Sequence, residues 1–209
     1  MKLRIATGVG LLLLMTTMAC GQVKSQAPAN GGRVSLASLA GKFETKGSGS
    51  YTLCLNASFS APLDCASALH QEVPFNFTVL SRGSRDAAGN SCGVTTLTNE
   101  PAYGTISPAF RARMNNTRTN VSTTTSFDPA TGSGSSSFSQ YRGGRCAGAV
   151  FDSAGAVLTG TGTQSFMVSD SGNRIDSIIT SFSVVSSPFG LAGELKETMP
   201  VVKATSIRE

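Results

Sequence analysis

Histidine, cysteine and carboxylate side chains do most of the acid–base, nucleophilic and metal chemistry in proteins, and this chain is short of the first. His70 is the single histidine in 209 residues and stands in Ser67-Ala68-Leu69-His70-Gln71-Glu72. A hydrolase would use it as general base beside an activated hydroxyl. Hydroxyls are abundant, at 29 Ser and 22 Thr, yet no serine occupies a G-x-S-x-G elbow that would single it out. A glycosidase-type carboxylate pair would draw on Glu44, Asp64, Glu72, Glu100, Glu194, Glu197 or the turn aspartates. Glu194 and Glu197, three apart on a strand-like segment, point to opposite faces. The turn aspartates Asp86, Asp128, Asp152 and Asp170 each precede a Gly, but none matches D-x-[DN]-x-[DN]-G, so calcium is not expected. These residues predict no catalytic set, no cofactor and no metal. The rival expectation is an envelope hydrolase using His70 or a loop carboxylate pair.

The five cysteines carry more information. The N-terminus reads Met1-Lys2-Leu3-Arg4, then 14 mostly apolar residues from Ile5 to Met18, then Ala19-Cys20. Cations, a short apolar run and a small residue make a secretory signal, and the run is shorter than the roughly 20 residues that span a bilayer. Met15-Thr16-Thr17-Met18-Ala19-Cys20 resembles a bacterial lipobox, with Thr17 where the family usually has Leu. The resemblance implies cleavage after residue 19, acylation of Cys20 and anchoring to a membrane by several acyl chains. Gly21 resembles the next position of lipoproteins sorted to an outer membrane. The alternative is plain cleavage after Ala19, giving a secreted or periplasmic protein.

Setting Cys20 aside leaves Cys54, Cys65, Cys92 and Cys146, an even number in an exported chain. The intervening 10, 26 and 53 residues exclude the tight C-x2-C pairs of structural zinc sites. Two disulfides are expected, in any of three connectivities, with Cys54–Cys65 and Cys92–Cys146 preferred.

The elements that must position these groups are strands. Residues 20–38 read as a flexible tether, rich in Gly, Pro and Ala without periodicity. Residues 39–202 read as one β-domain and 203–209 as a C-terminal tail. Each of the Asp-to-Gly turns suits a hairpin return, because Asp bonds its own backbone and Gly supplies positive φ. Between turns lie short segments rich in Val, Ile, Phe, Tyr and Thr: 50–55, 75–81, 91–97, 120–127, 135–141, 145–151, 157–161, 164–168, 174–182 and 191–197. Residues 66–72 and 109–115 suit a turn or two of helix. The fold expected is all-β, an antiparallel up-and-down meander of 8–10 strands closed into a barrel, with a sandwich as the alternative. The progression SFDPATGSG…YRGG…FDSAGAV…FMVSDSGNRIDSIITS…LAGELKE resembles uncharacterised exported bacterial barrels of lipocalin or avidin type over about 75 residues.

A closed barrel of this kind implies an interior lined by Phe75, Phe77, Val79, Phe127, Phe138, Phe166, Ile178 and Phe182. Such an interior would hold a small apolar ligand, with an envelope protein as the other kind of partner. Residues 99–120, the longest segment without strand character, hold Arg111, Arg113 and Arg118 with Tyr103 and Phe110. A solvated loop is the preferred reading; the functional one is a cationic rim for an acidic ligand or anionic headgroups. Loss of Lys2 and Arg4 with the signal leaves 15 cations against 12 anions, too small an excess to argue for nucleic acid.

Overall fold

The computed structural model describes residues 34–101, 106–185 and 201–209. The signal, Cys20, most of the tether, Tyr103 and the segment at 191–197 with Glu194 and Glu197 lie outside these residues. Among the described residues ten strands run in chain order: β1 (Gly41–Leu55), β2 (Gln71–Arg85), β3 (Asn90–Pro101), β4 (Asn116–Asp128), β5 (Ser133–Arg142), β6 (Arg145–Ala147), β7 (Val150–Asp152), β8 (Val157–Ser169), β9 (Arg174–Val184) and β10 (Val201–Arg208). Eight of them form a closed antiparallel barrel in the order β1-β10-β9-β8-β5-β4-β3-β2, while β6 and β7 form a separate hairpin. One helix, α1 (Pro108–Met114), lies between β3 and β4, with Ser107 as its N-cap.

Turn chemistry works largely as the sequence implies. Asp86 Oδ1 accepts from the backbone of Ala88 at 3.0 Å and of Asn90 at 2.8 Å, and Gly89 takes φ +86°. The same Asp bond recurs at Asp128 to Ala130 and at Asp152 to Ala154. Asp170 differs, since it and Ser171 themselves adopt positive φ.

Several boundaries depart from expectation, each for a physical reason. Residues 157–161 and 164–168 are one strand, because Gly160-Thr161-Gly162 continues the ladder instead of turning. Gly162 pairs with Phe138 on one side and Phe182 on the other, and the two rings stack over it at 6.1 Å. Residues 145–151 fold as the β6–β7 hairpin, reversing at Gly148. Residues 203–209, read as a tail, hold most of β10, which pairs with β1 and β9 and closes the ring. From the tether, Val34 is buried and Leu36–Leu39 form a 3-10 turn. Residues 116–120 belong to β4 and not to a loop.

Each end of the barrel has its own apolar plug. At one end, joined by short turns, Val34 and Leu39 pack on Phe43, Phe166, Val168 and Ile175. Arg208 fixes this lid by donating to the Ser38 carbonyl and lying over the Phe43 ring. At the other end α1 presses Phe110 and Met114 onto Leu53, Leu55, Val73 and Phe75.

Both expected disulfides are present. Cys54–Cys65 ties the β1–β2 connection to the end of β1. Cys92–Cys146 pins the β6–β7 hairpin against β3, where alternation turns Cys92 outward. Disulfides of this sort belong to an oxidising, exported compartment.

Gly162 supplies a test of the ring packing. A Cβ there would stand 2.6 Å from the Phe138 ring and against the Ser181 carbonyl. Its φ lies outside the left-handed region, so the cost is steric. Gly162→Ala should lower stability by about 1–3 kcal/mol in urea unfolding.

Candidate functional site: the barrel cavity

The interior exists because small residues occupy inward positions. Eight-stranded barrels are just wide enough for side chains to fill or for one small ligand to enter. In β1 the inward alternation Phe43, Thr45, Tyr51, Leu53 passes through Gly47 and Gly49. β10, across the ring from β4, contributes Val202, Ala204 and Ser206. The result is a cavity of about 330 Å3 within the barrel.

Its walls differ in character. Phe43, Phe77, Phe138 and Phe182, with Val79, Leu97, Ile175 and Ile179, supply the apolar surface. β4 supplies a wholly polar stripe, Asn116, Arg118, Asn120 and Ser122, each two residues from the last. Neighbouring strands hold that stripe in place. Asn120 Nδ2 donates to Thr95 Oγ1 at 2.5 Å, and Thr95 donates on to Ser81 Oγ at 2.9 Å. Ser122 and Ser91 share a hydrogen bond of 2.7 Å.

The α1 end is locked by a polar chain. Tyr51 donates to Asn99 Oδ1 at 2.8 Å, and Asn99 Nδ2 donates to the Met114 carbonyl at 2.9 Å. Asn115 Oδ1 accepts from the Asn99 backbone at 2.7 Å, which fixes where α1 ends. Burial raises the Tyr51 hydroxyl well above the usual phenol range.

Charge inside the cavity is of one sign. Arg85 and Arg118 line it, and no carboxylate does among the described residues. Arg85 donates to Thr124 Oγ1 at 3.3 Å and lies 5.7 Å from the Phe166 ring centre. Burial lowers its pKa, with nearby Asp86 opposing. Arg118 is 7% exposed and also held below its ordinary pKa, chiefly by burial and secondarily by the Arg142 guanidinium.

The residues expected to face inward divide three ways. Phe77, Val79, Phe138 and Phe182 line the cavity. Phe75 is buried under α1, while Phe127 and Phe166 stack at 6.2 Å beside the opposite lid. Ile178 is a correction: it is 42% exposed, and Ile179 takes the inward place. The register shift opposite Thr163/Gln164 explains this. Ile175, Ser177 and Ile179 face in before it, and Phe182 and Val184 after it, so alternation read straight through Ile178 to Phe182 crosses a bulge.

The polar stripe is what the sequence reading missed. Arg118, expected in a loop, stands on β4 in Asn116-Thr117-Arg118-Thr119-Asn120-Val121-Ser122. The signal was available: the polar, long side chains alternate with Thr and Val. Arg111 instead pairs outside with Glu100 at 3.4 Å, Phe110 is core, and only the backbone of Arg113 is described.

His70 and the carboxylates stand apart from the cavity. His70 Nδ1 lies 2.5 Å from the Ser67 carbonyl and Nε2 3.5 Å from Glu72 Oε1, on the β1–β2 connection. Glu44 pairs with Lys46 at 3.0 Å and Arg82 at 2.8 Å, and Asp176 with Arg174 at 2.8 Å. No protein-family model matches the chain, and no curated protein or solved structure matches it.

Tyr51 tests the lock on α1. Tyr51→Phe keeps the ring contact with Phe75, 5.5 Å away, but leaves the buried Asn99 oxygen without its donor. Stability should fall by about 1–3 kcal/mol, read as a lower denaturant midpoint with the strand content unchanged.

Proposed function

We propose that the domain is a non-enzymatic binding module of the cell envelope, holding a small and largely apolar ligand inside its barrel. The supporting observation is the cavity: about 330 Å3, walled by four phenylalanines and a few fixed polar groups. Ligand sites are concave, mostly apolar and largely preformed, and measure roughly 300–1,000 Å3. A lumen of that size with largely apolar walls offers surface that a ligand can cover.

In this reading the chain is exported and anchored through acyl chains on Cys20, on an outer membrane as the residue after it suggests. Val34 is buried in the lid at the short-turn end, so the chain joining the domain to Cys20 reaches the barrel there. The α1 end then lies at the far side of the domain from the point of attachment.

Titration of the purified chain with the uncharged fluorophore N-phenyl-1-naphthylamine tests the binding reading. Saturable one-to-one binding is expected. Ser177→Phe, which fills the cavity from β9, should weaken it at least tenfold while the protein stays folded. Absence of saturable binding to the native chain would contradict the reading. The anchoring claim has its own test: Cys20→Ala should move the protein from the membrane fraction to the soluble one, and a variant that stays membrane-bound refutes it.

A further inference from the structure

The apolar-ligand reading leaves the polar stripe of the cavity unexplained: the Oδ1 atoms of Asn116 and Asn120 are buried without a partner, and Arg118 between them carries a charge. Its side chain points inward from the middle of the β4 stripe and is 7% exposed. Among the described residues it makes no hydrogen bond and no ion pair, although a guanidinium carries five N–H donors. Buried charges in proteins are paired, because an unpaired one forfeits its hydration with no return. The other interior guanidinium, Arg85, has both Thr124 and the Phe166 ring.

The surroundings deepen the imbalance. Thr119 pairs with Tyr141, so the ladder brings Arg118 beside Arg142, the next residue on β5, and the two cations repel. No Asp or Glu lines the cavity. Gln140, opposite Asn120, adds a side-chain amide to the same patch. On the other walls Phe138 and Phe182 stack into a continuous apolar face.

We propose that Arg118 is the seat for the carboxylate head of an amphipathic ligand whose apolar body lies on the Phe77, Phe138 and Phe182 walls. The inference rests on the barrel cavity being a binding site. A planar guanidinium meets a carboxylate with two parallel N–H···O bonds, which a neutral alcohol or ester cannot match. The seat is therefore selective for charge, while the aromatic walls select only for apolar bulk.

Competition against bound N-phenyl-1-naphthylamine separates the two claims. Decanoate should displace the fluorophore from the native chain at a concentration at least tenfold below that of decan-1-ol. Arg118→Met should bring the two to within twofold of each other. Arg118→Lys, which keeps the charge and loses the fork, should retain part of the preference. Equal displacement by acid and alcohol in the native chain overturns the carboxylate seat and leaves the carrier reading intact. An undiminished preference in folded Arg118→Met also overturns it. Failure of the fluorophore and of decanoate to bind removes both claims together. The native-chain comparison needs no variant, so it decides the matter even if Arg118→Met does not fold.

Discussion

A meander of eight strands loses its exposed edges only when the last strand pairs with the first, and here that pairing is β10 on β1. It runs from Phe43 opposite Arg208 to Ser50 opposite Val201, and the inward hydroxyls of Thr45 and Ser206 meet across it at 2.7 Å. Every other feature of the domain depends on this closure. It gives the inward alternation a common interior to face, and it brings Arg208 to the lid at Ser38. Closure also sets the width of the ring, and so the space that inward side chains must fill.

In this barrel they do not fill it. Glycine at two inward positions of β1 and Val, Ala and Ser on β10 leave the lumen open. Packed apolar clusters at both ends and two disulfides offset what an unfilled centre loses. The design concentrates rigidity at the ends and in the walls. Hydroxyl-to-hydroxyl bonds along the strands, such as Ser91 to Ser122 and Thr125 to Ser135, use the abundant Ser and Thr as cross-strand ties.

How much of this was legible follows from which signals are local. Asp–Gly turns are local, so the hairpin returns at 86–90 and 128–132 could be read directly. That the cysteines form two disulfides followed from counting once Cys20 was set aside, while their pairing was a preference among three connectivities. Closure into a barrel could be expected from the number of strands, but the strand that makes it was not legible, since β10 shows little amphipathic contrast: Lys203, Thr205 and Ile207 face out while Ala204 and Ser206 face in. Nor was the bulge near Thr180, which exchanges Ile178 for Ile179, because a one-residue shift leaves no mark in composition. Arg118 was hidden for a different reason. A charged residue on a strand reads as solvated until the partner strands show that its face is the inside of a barrel.

In the proposed function the lumen, and not the outer surface, receives the ligand. Methyl groups divide cleanly between the two: Val79, Leu97, Ile175, Ile179 and Val202 line the cavity, whereas Leu80, Val94, Ile178 and Ile207 are exposed. A methyl-labelled NMR titration of the chain with decanoate measures both sets in one experiment. Saturating shifts confined to the inward set, with the outward set unmoved, are the predicted result. Shifts confined to the outward methyls, or none in either set, would contradict it.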